Sequence, residues 1–318
     1  NNIMKNIYSN IFSFNKKTLL KSIAYLKKGN VVGLPTETVY GLAGNAYSKK
    51  SINKIFKLKK RPKFNPLIVH YFNHKGAEKD VVFNKNFFKL YKKFCPGPIT
   101  FVLRKKKKSK ICTSATANLD TVAVRFPRHQ VVRSILKKVS FPLAMPSANL
   151  SSNVSPVNAK DVAEEFRKNI KLIINGGKSK IGIESTVIDL TRNPKILRPG
   201  IIGPEIINSF LKLSITKKSL KIKSPGMLKK HYSPGIPIIL NQKSFDKKHA
   251  FITFGDKYKN NKNCFNLSKK SDLKEAASNL YKTLRKIKKQ GFKKIYVVKI
   301  PNQGPGIAIN DRLKRAAN

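Results

Sequence analysis

Acidic residues are scarce in this chain. Its 318 residues hold 15 Asp+Glu against 67 Lys+Arg, a formal net charge of +52. A metal cage built wholly from protein carboxylates is therefore not expected. Cysteine is scarce too. Cys95, Cys112 and Cys264 are odd in number and widely spaced, with no C-x-x-C pair and no Cys/His pair at metal-ligand spacing. This argues against a disulfide framework or a zinc site, and fits a reducing compartment. Tryptophan is absent, and long apolar runs are missing. Ile236–Leu240 and Ile295–Val298 fall far short of the ~18 residues of a membrane span. The apolar patch of Ile11, Phe12 and Phe14, between Lys5 and Lys16, is too short for a secretory core. The expected setting is the cytoplasm, with no membrane partner. Walker A, G-x-G-x-x-G, G-x-S-x-G and H-E-x-x-H patterns are all lacking.

What is present is enough to fold. Hydrophobic residues make up 40 % and aromatics 9 %, which excludes wholesale disorder despite the charge. The length suits two domains better than one. The charge has two readings. One is a polyanion such as RNA or a nucleotide. The other is compositional, since Lys, Asn and Ile abound in every region. Either way, any affinity for RNA should be salt-sensitive.

Short β-branched runs alternate with helical patterns from about Lys17 to Leu213. Val31–Leu34, Pro66–His70, Ile99–Leu103, Thr121–Arg125, Pro142–Met145, Lys171–Asn175, Glu184–Leu190 and Lys195–Leu197 read as strands. Ser48 caps a helix carrying Ile52, Ile55 and Phe56 on one face. Further helices are expected at Phe87–Phe94, Asn158–Arg167 and Gly203–Leu213. Lys105–Lys108 reads as a loop. Periodicity fails between about Ser214 and Ile236, where two Ser-Pro-Gly tripeptides predict an extended linker. Beyond it, Pro237–Leu240, Ala250–Phe254 and Lys294–Ile300 read as strands. Leu273–Ile287 and Ile307–Ala317 read as helices, the first amphipathic through Leu273, Ala276, Ala277, Leu280 and Leu284. That alternation predicts a small parallel α/β unit.

Polar insertions at strand ends are where an open α/β sheet binds ligands. Pro35–Leu42 (PTETVYGL) supplies hydroxyls, a carboxylate and a phenol. Lys59 and Arg61, before Asn65–His70 (NPLIVH), suit either a helix dipole or the oxygens of a polyphosphate. His70 ends an apolar strand, where a lone histidine is usually just hydrogen-bonded. Pro146–Asn149 (PSAN), with Ser155, offers small hydroxyl and amide groups for an anion, or simply a capped turn. Glu184–Val187 (ESTV) and Leu197–Gly200 (LRPG) complete the set. Glu37 reads as either a helix cap or a base, the cap being favoured.

Together with Pro96–Thr100 (PGPIT) and Val124–Pro127 (VRFP), these strings resemble, in order and spacing, the YrdC-like domain of L-threonylcarbamoyladenylate synthases. The SPGM…HYSP linker and the block after it are similar to the two-domain form of that family. The resemblance implies an α/β fold. A twisted, mixed, open YrdC-like sheet with helices on both faces spans residues 11–215. A linker at 216–236 folds over the site as a lid. A smaller Rossmann-like parallel α/β domain spans 237–318. Two positions depart from the family: Lys60 and Ser152 stand where glycine is frequent.

The resemblance also implies an activity. L-threonine, bicarbonate and ATP give threonylcarbamoyl-AMP and pyrophosphate, the donor for threonylcarbamoyladenosine in tRNA. Lys59, Arg61, Ser147 and Asn149 would handle phosphate and carbamate. Thr38, His70, Arg125 and Ser185 would surround the threonine, Arg125 gripping its carboxylate as a fork. Arg61, Asn65, Thr121, Ser147, Ser155, Arg198 and Tyr232 would meet ATP. Mg²⁺ would arrive on the triphosphate, with no organic cofactor. A threonylcarbamoyl transferase is the expected protein partner, and tRNA or double-stranded RNA a further one. Two rivals stand beside this reading. A non-catalytic RNA-binding protein would display stacking aromatics rather than these Pro, Thr, Ser and Asn motifs. A carbamoyltransferase of the hydrogenase-maturation kind would carry additional zinc-finger and acylphosphatase-like regions, and no such region is visible.

Overall fold

A computed structural model describes residues 7–213, 231–244, 248–258 and 262–318. Most of the expected linker, residues 214–230, lies outside the described residues. In chain order the elements begin with β1 (Ile11–Ser13), α1 (Lys16–Lys27), β2 (Val32–Leu34), β3 (Gly41–Asn45), α2 (Lys49–Lys59) and β4 (Ile68–His70). Next come α3 (His74–Ala77), β5 (Val81–Val82), α4 (Lys85–Phe94), β6 (Ile99–Lys105), β7 (Thr121–Arg125), α5 (Gln130–Lys138) and β8 (Leu143–Ala144). Then follow α6 (Ala159–Phe166), β9 (Ile173–Asn175), β10 (Thr186–Asp189), β11 (Lys195–Arg198) and α7 (Pro204–Asn208). The second block holds β12 (Ile238–Ile239), β13 (Ala250–Thr253), β14 (Cys264–Asn266), α8 (Leu273–Lys289), β15 (Ile295–Val297) and α9 (Pro305–Ala317).

The first sheet has eleven strands in the order β1-β9-β2-β3-β8-β4-β7-β6-β10-β11, with β5 on β6. It is mixed: β4 runs parallel to β7 but antiparallel to β8. The second sheet, β12-β15-β13-β14, is parallel throughout. The expected fold class is thus the one observed.

Side-chain alternation along the strands separates two faces. Val69 of β4, Phe101 and Leu103 of β6, and Val122 and Val124 of β7 pack with Ile52, Ile55 and Phe56 of α2 and Phe87 and Leu90 of α4. On the opposite face Val32 and Leu34 pack with Ile23 and Leu26 of α1 and with Val132 and Ile135 of α5. That second helix pair stops short of the central strands. There Ile68, Val102, Ala123 and Val187 form only a small apolar floor. On the same face of those strands stand His70, Thr100 and Arg125, all buried. This uncovered stretch of sheet is where the site lies.

Local sequence explains most of the rest. Ser48 Oγ caps α2 by accepting from the Ser51 amide at 3.2 Å. Asn158 caps α6, accepting from the Asp161 amide at 2.9 Å. Each such cap contributes about 1 kcal/mol. Several expectations are corrected. The N-terminal apolar patch, assigned no element from the sequence, is β1 paired to β9, followed by α1. α5 and β14 were not foreseen, and β3 begins inside the PTETVYGL string. The helix expected over Gly203–Leu213 is shortened to α7, and Lys105 belongs to β6 rather than to a loop. All three thiols are free. Among the described residues no helix is long and apolar enough to cross a membrane.

Both departures from the family pattern fall on left-handed backbone. Lys60 has φ of 49° and Ser152 φ of 70°. A side chain there crowds the following carbonyl, whereas glycine does not. Lys60→Gly and Ser152→Gly should therefore each stabilise the chain, by about 0.5–1 kcal/mol in urea unfolding. An unchanged or lower midpoint would contradict this account.

Candidate active site

The hollow begins at the end of α2. Lys60 turns the chain and the next residue, Arg61, is directed inward, 8 % exposed. Its Nε donates to the Asn65 carbonyl at 2.9 Å, and its Nη2 to Asn65 Oδ1 at 2.6 Å and the Pro66 carbonyl at 2.8 Å. All three acceptors are neutral. Burial and the nearby Arg198 push its pKa down to about 9. The guanidinium stays protonated at neutral pH yet is incompletely compensated, a setting that favours an anion.

Further segments close around it. After β3 starts at Gly41, the PSAN loop runs alongside, Leu42 N donating to the Pro146 carbonyl and Ala148 N to that of Tyr40, both at 2.8 Å. The approach is close enough that a Cβ on Gly41 would lie 2.3 Å from Met145 Cγ. β4 and β7 contribute His70 and Arg125, and the end of β11 contributes Arg198, whose guanidinium donates to the Ser185 carbonyl and Oγ, both at 3.1 Å. The roof is His231–Tyr232. Ser233 N donates to the Ser152 carbonyl at 2.8 Å, and His231 N to that of Arg315 in α9 at 3.1 Å. Tyr232 is held at φ of 64°, a strained conformation for a bulky residue. Its hydroxyl is buried without a partner among the described residues.

The hollow so formed holds about 520 Å³ of empty space, counted out to its open mouth. Arg61, His70, Arg125, Ser147, Arg198 and Tyr232 all line it. The convergence that the sequence reading required is therefore present. The remaining expected residues stand behind the wall. Thr38 is buried with its Oγ1 2.9 Å from that of Thr36, and Ser185 Oγ is 2.7 Å from Thr100 Oγ1. Ser155 donates to Glu184 at 2.5 Å, and Asn65 serves Arg61. Lys59 is only 1 % exposed. Its Nζ donates to the Ser147 carbonyl at 2.6 Å and to that of Asn149, which pins the PSAN loop. Burial, with Arg61 adding to it, lowers the Lys59 pKa well below the usual lysine range. Asn149 itself donates to the carbonyls of Leu150 and Asn153, at 2.7 and 2.9 Å. Thr121 is at the far end of β7, four residues along from Arg125 and so ~13 Å away.

Glu37 is neither a helix cap nor a free base. No helix starts there. Its carboxylate accepts from Arg125 Nη2 at 2.6 Å and from the Arg128 amide at 3.1 Å. Burial opposes ionisation, but Arg125 and these hydrogen bonds win and lower its pKa. The expected Arg125 fork is therefore half taken, leaving Nε buried with no partner among the described residues. His70 is pushed down to about 3 by burial and Arg125, and His231 to about 3 chiefly by burial. Both imidazoles are neutral at physiological pH.

The role of Glu184, whose ESTV string was singled out without one, and the parts of Arg312 and Tyr281 are not read from the sequence. Glu184 lines the hollow. It accepts from Arg312 Nε of α9 at 2.8 Å and from Tyr281 Oη of α8 at 2.9 Å. Burial would raise its pKa, yet Arg312, Arg198 and the hydrogen bonds hold it at about 2. Arg312 and Tyr281 carry no local motif, since each sits on an ordinary amphipathic helix.

The fold and the site together define an α/β protein with an arginine-lined hollow at its strand ends. Residues 24–200 match the Sua5_yciO_yrdC family model, described as telomere recombination. Residues 202–318 match that of the threonylcarbamoyl-AMP synthase C-terminal domain. The threonylcarbamoyl-AMP synthase of Pyrococcus abyssi (strain GE5 / Orsay) is 35 % identical over 316 residues, covering 92 % of either chain. That of Bacillus subtilis (strain 168) is 33 % identical over 331 residues, 96 % of this chain and 94 % of the relative. A crystal structure of P. abyssi Sua5 complexed with L-threonine superposes with a TM-score of 0.88 at 33 % identity, covering 96 % of this chain and 97 % of that one. The chain belongs to the threonylcarbamoyl-AMP synthase family, with both of its characteristic regions present.

Proposed function

We propose that this chain condenses L-threonine, bicarbonate and ATP to threonylcarbamoyl-AMP, releasing pyrophosphate and water. The observation that carries the reading is Arg61. It is a buried guanidinium at the hollow, held by neutral oxygens and short of negative charge. A triphosphate supplies that charge.

The neutral amine of threonine is carboxylated, and the resulting carbamate oxygen attacks the α-phosphorus as pyrophosphate leaves. No covalent intermediate with the protein is required. The chain's part is to hold three reactants in line and to stabilise developing charge. Arg61 and Arg198 face the phosphates across the hollow, with Ser147 offering a hydroxyl. Arg125 Nε is directed at the amino-acid carboxylate, and Glu37 fixes that guanidinium's orientation. Neutral His70 adds a hydrogen-bonding edge without competing charge. Tyr232 closes the roof against water, which would hydrolyse an acyl adenylate. Mg²⁺ accompanying ATP shields the triphosphate. Glu37 and Glu184 at the hollow are committed to arginines, so a magnesium ion would be held by phosphate oxygens and water rather than by these carboxylates. The product is the activated donor for threonylcarbamoyladenosine in tRNA, delivered to a threonylcarbamoyl transferase. The chemistry suits the cytoplasm.

The test is pyrophosphate release from ATP with threonine and bicarbonate. Release that requires both supports the reading. RNA binding with no threonine-dependent turnover would replace it with a non-catalytic role.

A further inference from the structure

The second domain reaches the wall and roof of the hollow through Arg312, which contacts Glu184 and the Tyr232 ring. This residue of α9 is 1 % exposed and among the largest fully buried side chains. Its Nε is 2.8 Å from Glu184, a wall residue of the first domain, and its Nη1 is 2.7 Å from Asp311. Its guanidinium lies 5.0 Å from the centre of the Tyr232 ring. Nη2 is buried with no partner among the described residues. Tyr281, on α8, donates to the same Glu184 carboxylate, and its ring stacks 6.0 Å from that of Tyr232. Tyr232 is strained, and the second domain supplies two of its ring contacts, Tyr281 and Arg312.

The docking around this point is firm. Gly182 approaches α8 so closely that a Cβ would lie 2.6 Å from Ser278 Cα. Arg285 of α8 donates to the Val154 carbonyl at 2.6 Å. Arg312 thus sits in a fixed frame between two elements of the hollow.

We propose that Arg312 is a positioning residue for the nucleotide site: by gripping Glu184 from one side and the Tyr232 ring from the other, it makes the second domain a working part of ligand retention. This rests on the synthase reading above. Charge without a fork would hold one of the two partners but not both, so Arg312→Lys is expected to recover only part of the function.

The experiment compares wild type, Tyr232→Ala, Arg312→Met, Arg312→Lys and Tyr281→Phe. Each is measured for threonine-dependent pyrophosphate release over an ATP titration, and for adenylate retained after rapid gel filtration. Circular dichroism and thermal melts check folding. Arg312→Met should raise the KM for ATP about tenfold and lower retained adenylate about tenfold, with kcat within about threefold. Arg312→Lys should be intermediate. The Arg312→Met/Tyr232→Ala double variant should be little worse than Tyr232→Ala alone, because both remove the same roof. If Arg312→Met does not fold, Arg312→Lys and Tyr281→Phe carry the test with the same readouts, with expected shifts of about threefold. A folded variant set with ATP KM and retention within twofold of wild type overturns the proposal. So does a drop in kcat alone, or strict additivity with Tyr232→Ala. A wild type that shows no threonine-dependent release overturns the synthase reading itself.

Discussion

Replacing Arg61 by alanine is expected to reduce threonine-dependent pyrophosphate release by roughly a hundred- to a thousandfold, the size typical of losing one preorganised donor to a developing anion. Arg61 is a buried cation whose described hydrogen-bond partners are all uncharged, and it lines the hollow. Its removal therefore takes away attraction for the triphosphate without freeing a carboxylate to unfold the loop. Arg61→Lys should restore the charge but not the planar fork, and should recover only part of the rate. Turnover near wild type in a folded Arg61→Ala would remove the phosphate role assigned here.

Glu184→Gln should cost roughly 3 kcal/mol at neutral pH, because Arg312 and Tyr281 would lose the charged acceptor they share. The loss carries a pH signature. Glu184 is held at about 2 in the folded chain against 4.5 as its ordinary value. A depressed carboxylate stabilises the fold fully above its unfolded value, and that stability disappears as pH falls from about 4.5 to about 2. The difference in unfolding free energy between wild type and Glu184→Gln should thus be constant from pH 5 to 8 and close towards pH 2. A gap that did not change with acid would place the stabilisation elsewhere.

Much of this molecule was legible from local signals. Val32–Leu34 and Thr121–Arg125 are apolar runs bounded by turns, and Ser48 and Asn158 cap as their side chains dictate. The strings at Arg61, Ser147, Arg198 and Tyr232 pointed to one place, and those four residues line one hollow. What was hidden depended on distance along the chain. Glu37 carries a carboxylate whose use is set by Arg125, 88 residues away. Lys59 looked like a ligand for phosphate because it neighbours Arg61. Lys59, though, is the last residue of α2, and the left-handed turn at Lys60 sends the two side chains apart, so its Nζ is held behind the wall by the Ser147 and Asn149 carbonyls. Arg312 reaches Glu184 across 128 positions, and nothing in the α9 pattern marks it. β1 was unreadable because three residues have too short a period to register without their partner, β9.

The central strands serve two masters through alternate residues. On β4, Val69 belongs to the helix-packed core while His70 faces the hollow, and β7 divides Val124 from Arg125 in the same way. A slip of one position in the β4–β7 pairing would send an imidazole into oil and a valine towards the substrates. The memory of the active-site geometry is therefore stored in ladder alignment, Val69 against Val124 and His70 against Arg125. Loops can drift in sequence and length around such a site, as long as that pairing is kept in step.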